Sequence, residues 1–394
     1  MPSRKFSRRD LLKSAGVGVV GLGVGAAIYE RMNRYIIGTK SNDAVSAIST
    51  MSESSPLTID LTDHTSLQLV SGTFSDARLE TLLSRRDVDF AQPDRYLDMP
   101  PVDVEETPED QTVPWGIDRI GAPAVHESGE SGSGIEVGVI DSGINNTHPD
   151  LEENIADPSD EENHNAWSSC GGGDCEYPWT DDSGHGTHVS GTIAAEESSE
   201  GVLGVAPDAT LHALKVCNSS GRCRTSAIAE AIRHSADQGW DVINLSLGSP
   251  RSAPALEAAG EYALEAGVLP IAAAGNRGRS DSIGYPAAYD EFVAVTATTE
   301  NDSLAGFSSR GPEADIAAPG AEVYSADLDG YSTQSGTSMA APHVTGAAAH
   351  VINNTESVDE ARQQLLSSAE DIGLDDNEQG AGLVDVAAAL EVPR

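Results

Sequence analysis

A chain of 394 residues, 39% of them hydrophobic, carries enough apolar side chain for one large core and a smaller one, which excludes disorder for most of its length. Its 63 acidic residues against 23 basic ones leave a net charge of −40, and lysine occurs only at Lys5, Lys13, Lys40 and Lys215. Phosphate binding needs clustered Lys and Arg, so no nucleic-acid partner is expected. Self-repulsion on this scale weakens a compact state at low ionic strength and is screened by salt.

At the N-terminus, Ser7-Arg8-Arg9-Asp10-Leu11-Leu12-Lys13 precedes a Gly/Val/Ala run over 14–28, the pattern of a twin-arginine export signal spanning 1–29. The apolar run, about fifteen residues, is short for a membrane span, so cleavage is expected rather than retention as an anchor. A second unit follows over 30–109. Segments 34–39, 67–70 and 88–91 read as strands and 77–83 as a helix, and the Pro- and acid-rich stretch 102–111 reads as an exposed linker. From 110 to 394 the pattern alternates. Apolar runs at 135–141, 211–216, 242–247, 268–274 and 292–298 predict strands, and 225–238, 253–265 and 358–368 predict helices. This is an α/β pattern: a parallel sheet flanked by helices on both faces, with ligands at the carboxyl ends of its strands.

Three segments of this last region carry reactive side chains. Val137-Gly138-Val139-Ile140-Asp141-Ser142-Gly143 is a β-branched run ending in a carboxylate and a glycine turn. Ser183-Gly184-His185-Gly186-Thr187-His188-Val189 sets a histidine between two glycines ahead of a helical run. Ser335-Gly336-Thr337-Ser338-Met339-Ala340-Ala341-Pro342-His343-Val344 opens a helix of small residues, with Thr337 placed to cap it and Pro342 within its early turns. Ser338 then lies at a helix N-terminus, where free N–H groups and the dipole stabilise an anion. Asp, His and Ser in this order are one of the chain orders that build a nucleophile, base and orienting acid.

Asp-Ser-Gly-Ile, His-Gly-Thr-His-Val-Ser-Gly-Thr and Gly-Thr-Ser-Met-Ala-Ala-Pro-His together resemble the subtilisin-like serine proteases, from about Gln111 to the C-terminus. The resemblance implies a fold with that parallel sheet, a small α+β propeptide over 30–109 acting as an intramolecular inhibitor, and a peptidase domain over 110–394. It implies Ser338 as nucleophile, His185 as base, Asp141 as its orienting acid, and Asn276 in Gly275-Asn276 as side-chain donor to the oxyanion. Gly221-Arg222-Cys223 and Ser246-Leu247-Gly248 match the two segments that clasp an extended peptide, and Gly248, Ala273, Ala274 and Gly284 the walls of the primary specificity pocket. A structural calcium site is implied at Gln111, Asp150 and segment 196–202, including Ser198, which stands where the family has an Asn ligand, and Val202. A weaker cation site is implied at the carbonyls of Ala287, Tyr289 and Phe292 with Asp315. No organic cofactor is implied. The acidic composition resembles that of haloarchaeal proteins, so the expectation is a secreted, salt-adapted, halolysin-like endopeptidase that acts on polypeptides, is monomeric, and has no stable membrane association once processed. The alternatives are a catalytically silent, peptide-binding pseudo-protease and a hydrolase confined to esters.

The four cysteines form two close pairs in sequence, Cys170 with Cys175 and Cys217 with Cys223. Export favours disulfides, for which three connectivities exist, and a Cys₄ zinc site is the rival.

Overall fold

A computed structural model of the chain describes residues 34–98, 110–160, 162–171 and 175–394. The export-signal segment and the linker residues 102–109 lie outside these. The chain divides into two compact units, one ending at Asp94 and the other running from Arg95 to the C-terminus.

The first unit has four antiparallel strands, β1 (Arg34–Thr39), β2 (Leu57–Asp60), β3 (Gln68–Thr73) and β4 (Val88–Pro93), in the order β2-β3-β1-β4. Helices α1 (Asn42–Met51) and α2 (Asp76–Leu83) supply Ala44, Ile48, Leu79 and Leu82 to a core completed by Ile37, Val70, Phe74, Val88 and Ala91. Helix α1 was not expected from the sequence. Only Ala44 and Ile48 on it are buried, so its apolar stripe is faint, and its start is secured by the Ser41 hydroxyl accepting from the Ala44 N–H at 3.2 Å.

In the second unit the strands are β5 (Tyr96–Asp98), β6 (Glu136–Asp141), β7 (Asn165–Ala166), β8 (Thr210–Lys215), β9 (Arg222–Arg224), β10 (Val242–Leu245), β11 (Leu269–Ala273), β12 (Val293–Thr298), β13 (Ile316–Pro319), β14 (Val323–Asp327) and β15 (Gly330–Gln334). Seven of them form one parallel sheet in the order β13-β12-β11-β10-β6-β8-β7. The sheet is an α/β core as expected, and β10, β11, β12 and β13 are buried at every position because helices cover both faces. The chain leaves β6 toward β8 on one side and returns to β10 on the other, so the order reverses at β6 and opens a crevice at the carboxyl ends there. Strand β10 ends two residues before the expected 247, since Ser246 leaves the ladder to bond elsewhere.

The helices of this unit are α3 (Trp115–Arg119), α4 (Ala122–Glu127), α5 (His185–Ala194), α6 (Thr225–Gln238), α7 (Pro254–Glu265), α8 (Thr337–Ile352), α9 (Val358–Ser367), α10 (Asp376–Gln379) and α11 (Val386–Ala389). Helix α8 is buried from Thr337 to Val351, its small and apolar residues packing closely while Thr345, His343 and His350 bond to buried partners. It packs on α5 and against β10, β11, β12 and β13, which brings its N-terminus to the carboxyl ends of the sheet. Strands β14 and β15 pair as a hairpin, and β5 pairs antiparallel with β9.

Candidate active site

Asp141 is the last residue of β6, at the strand-order reversal, and His185 is the first of α5. Both are fully buried, and His185 Nδ1 lies 2.8 Å from Asp141 Oδ1. The two segments meet so closely that a Cβ on Gly186 would come within 2.1 Å of the Gly143 carbonyl oxygen, which is why the histidine is followed by glycine. With Nδ1–H donating to the carboxylate, Nε2 is left as an acceptor, and it is buried with no hydrogen-bond partner. Burial pushes the imidazole pKa down, but the adjacent Asp141 carboxylate, joined by the charges of Asp181 and Asp327, outweighs it and holds the pKa above its ordinary value.

The turn carrying Asp141 is braced from beneath. Asp181 accepts from the Ser142 hydroxyl at 2.8 Å and, through its other oxygen, from the Thr187 hydroxyl and N–H at 2.7 and 3.0 Å. The Ser142 hydroxyl in turn accepts from the Gly186 N–H at 2.9 Å, so one carboxylate ties the Asp141 turn to the helix that begins at His185. Lys215, fully buried at the end of β8, donates to the Ser142 carbonyl and to Asp182 Oδ1, the latter at 2.6 Å. Neither Asp181 nor Lys215 was singled out for the site from the sequence. A solitary lysine ending a strand in so lysine-poor a chain was the available signal.

Ser338 is the second residue of α8 and 5% exposed. Its hydroxyl donates to the Ser246 carbonyl at 3.1 Å rather than to His185. The Ser246 hydroxyl donates to the Ser338 carbonyl at 2.7 Å and accepts from Asn244 Nδ2 at 2.9 Å, and Thr345 donates to Asn244 Oδ1 at 3.0 Å. The Ser338 backbone is therefore held by a buried polar chain from β10.

Thr337 does not cap α8; Gly336 is the N-cap residue. The Thr337 hydroxyl accepts from the Gly275 N–H at 2.9 Å and donates to Asn276 Oδ1 at 3.0 Å, and the Thr337 N–H donates to the same oxygen at 2.9 Å. Two donors on Oδ1 fix the amide so that Nδ2 faces away from them. A Cβ at Gly336 would sit 3.2 Å from that nitrogen, so the glycine leaves the approach to the amide open. Asn276 itself is exposed.

Of the residues expected to contact a peptide, Arg222 and Cys223 lie on β9 with Gly221 just before it, and Ser246, Leu247 and Gly248 follow β10. The pocket residues converge: Gly284 N–H donates to the Ala274 carbonyl at 2.8 Å, and Ser249 and Tyr285 exchange backbone bonds of 2.9 and 2.7 Å beside Gly248. Disulfides join Cys170 to Cys175 and Cys217 to Cys223, the latter closing the loop that carries Gly221.

At the expected calcium site, the Gln111 amide faces the carbonyls of Glu196 and Val202 at 2.8 and 3.4 Å, beside the buried Asp150 carboxylate. Asp150 accepts only from uncharged donors, the Val202 N–H at 2.8 Å and the Tyr331 hydroxyl at 3.0 Å, and burial raises its pKa. These oxygens are of the hard type that calcium takes, but the Gln111 amide presents its nitrogen to the two carbonyls, and among the described residues no group of three or more His, Cys, Asp or Glu side chains gathers to hold a metal. Ser198 is not part of this site, since its hydroxyl turns back onto the Glu200 carbonyl at 2.7 Å. The second cation site does not fit a metal. The Arg362 guanidinium takes that place, donating to the Phe292 carbonyl at 3.2 Å, to the neighbouring Asp290 carbonyl at 2.8 Å and to Asp315 at 3.3 and 3.4 Å. The carbonyls of Ala287 and Tyr289 accept no such bond from it.

Residues 132–382 match the model of the subtilase family. The chain belongs to the subtilase family. It is 40% identical over 371 residues to an alkaline protease of Alkalihalobacillus alcalophilus, covering 93% of each chain. Subtilisin DY of Bacillus licheniformis is 44% identical over 288 residues, 71% of this chain and all of the relative, and subtilisin Savinase of Lederbergia lenta 46% identical over 282 residues, 71% of this chain and 99% of the relative. The chain is thus a subtilisin-like serine endopeptidase, which disfavours the silent-binder alternative.

Proposed function

We propose that this subtilase is a secreted, salt-adapted endopeptidase of broad specificity, made as a precursor with a twin-arginine signal, an inhibitory propeptide over 30–109 and a peptidase domain over 110–394. The observation that carries the catalytic assignment is the buried, unpartnered Nε2 of His185, whose other nitrogen is held by Asp141. In this reading a bound peptide carbonyl draws the Ser338 hydroxyl away from Ser246. His185 Nε2 takes its proton as the oxygen attacks, and Asp141 stabilises the imidazolium so formed. The tetrahedral oxyanion accepts from Asn276 Nδ2 and from the Ser338 N–H in the first turn of α8. Collapse expels the amine, which receives the proton from His185, and water then hydrolyses the acyl-enzyme by the same steps in reverse.

Backbone pairing at β9 supports broad specificity, because an added strand is read through groups that every residue shares. The chain's own Tyr96–Asp98 occupies that edge, which supports inhibition by the propeptide and its release on cleavage. Calcium, held by Gln111, Asp150 and the carbonyls of Glu196 and Val202, would tie the segment before α3 to the loop after α5. Among the described residues no helix is long and apolar enough to cross a membrane. Replacement Ser338→Ala tests the assignment: casein clearing should disappear and a precursor accumulate at full mass less its signal. Substantial peptidase activity in that variant refutes it.

A further inference from the structure

The pairing of β5 with β9 displays the seat of an extended peptide on this edge, residue by residue. Leu97 lies opposite Cys223 and is only 3% exposed, so the side chain at this position is taken into the protein. Successive side chains of a strand point to opposite faces, which puts Tyr96 on the other side of the ladder from Leu97. There it meets Arg222 and Arg224, two residues apart on β9 and hence on one face. Their guanidinium carbons lie 4.1 and 4.3 Å from the centroid of the Tyr96 ring, inside the roughly 6 Å over which a cation is attracted to an aromatic face. One guanidinium nitrogen of Arg224 is buried without a hydrogen-bond partner, so the ring is what that group has in place of an acceptor.

We propose that Arg222 and Arg224 form a cationic clamp that selects an aromatic residue in peptide substrates, at the position immediately N-terminal to the apolar residue seated opposite Cys223. The inference rests on the reading of β9 as the peptide-binding edge. Both arginines belong to the wall and not to the segment lying on it, so the clamp meets any peptide that adds to this strand. An aromatic ring suits two like charges better than the alternatives: an aliphatic side chain has no negative face, and an arginine or lysine would bring a third positive charge. An acidic residue in direct contact would also be attracted, so a peptide with Asp at this position decides between the two; the occupant that the structure shows is the Tyr96 ring, lying against both guanidiniums.

The test uses enzyme purified after expression of the whole chain, assayed in molar NaCl. Synthetic peptides of residues 92–99, with Phe, Ala, Asp or Arg in place of Tyr96, are measured as competitive inhibitors of a chromogenic peptide. The Tyr and Phe peptides should have inhibition constants about threefold to tenfold lower than Ala and Asp, with Arg the weakest. In R222Q/R224Q the Tyr-to-Ala ratio should fall toward one. R222Q alone, a change at an exposed side chain, should lower it part of the way and guards against misfolding of the double variant. A ratio near one in the unmodified enzyme, or one unchanged by R222Q/R224Q, overturns the clamp while leaving the peptidase intact. Failure of every peptide to compete with an actively hydrolysed substrate refutes the assignment of β9 itself.

Discussion

Thr337 stands next to the proposed nucleophile but acts on Asn276, the proposed oxyanion donor, through the two bonds it makes to its Oδ1. Asn276→Ala should lower kcat by about 10²–10³-fold with little change in KM, a magnitude established for the equivalent donor in a subtilisin and carried over here. Thr337→Val removes the hydroxyl and keeps the backbone bond, so the amide loses one of two restraints. The expected cost is one hydrogen bond, about 1 kcal/mol, read as a fall of roughly fivefold in kcat at constant KM. Thr337→Ser should restore it, and a defect that appears in KM instead contradicts a positioning role. His185 sets the pH response. Its pKa is raised in the folded protein, and only the neutral ring can take a proton, so kcat/KM should rise with pH through a midpoint above that of an ordinary imidazole. Stability runs the other way: the pair's contribution is present below the unfolded pKa and lost as pH rises through the folded one. An acid limb at or below the ordinary imidazole value would show that the carboxylates of Asp141, Asp181 and Asp327 do not outweigh the burial of the ring.

At the scale of elements, the sheet and helix α9 are joined by Arg362, which ties the end of the segment before β12 to Asp315 before β13. Both side chains are about a quarter exposed, so the ion pair itself contributes little, and the bonds to two backbone carbonyls contribute more. Arg362→Gln should lower the melting midpoint by about 2–4 °C, equivalent to roughly 1 kcal/mol in a domain of this size. It should also make the midpoint rise with added calcium more steeply than in the unmodified protein, because the carbonyls and Asp315 then lack their cation. Equal calcium responses in both proteins would show that Arg362 does not stand in for an ion. The strands and helices bearing the site were legible in the sequence because each has a local signature: β-branched runs for β6, β10 and β12, and a periodic pattern for α6 ended by Gly239 in the left-handed conformation. Strand β13 was not, since Ile-Ala-Ala-Pro is too short and too small to distinguish from a loop until it pairs with β12.

For the molecule as a whole the net charge of −40 governs behaviour in solution. Diluting NaCl from 1 M to 0.1 M lengthens the screening distance from about 3 to about 10 Å, so repulsions muted in the first condition act across neighbouring side chains in the second. Far-UV circular dichroism and peptidase activity should therefore decline together on dilution. A protein equally folded and active at both ends would make the acidic composition incidental to stability.

Asp141, His185 and Ser338 are singled out in the sequence by three local patterns taken together, a β-branched run ending in a carboxylate, a histidine between glycines and a serine opening a helix of small residues, in an order that builds an acid, a base and a nucleophile; the structure shows the first two in contact. Asn276 and the peptide-clasping segments came from resemblance to a family, carried position by position. What only the tertiary structure decided are the pairings between distant residues. Thr337 reaches Asn276 across 61 positions, Arg362 reaches the Phe292 carbonyl across 70, and Tyr96 finds Arg222 and Arg224 only when β5 lies on β9. Threonine, arginine and tyrosine have many possible partners, and which one each takes depends on the strand order and on where α8 and α9 settle, properties of the packed chain that no local pattern encodes.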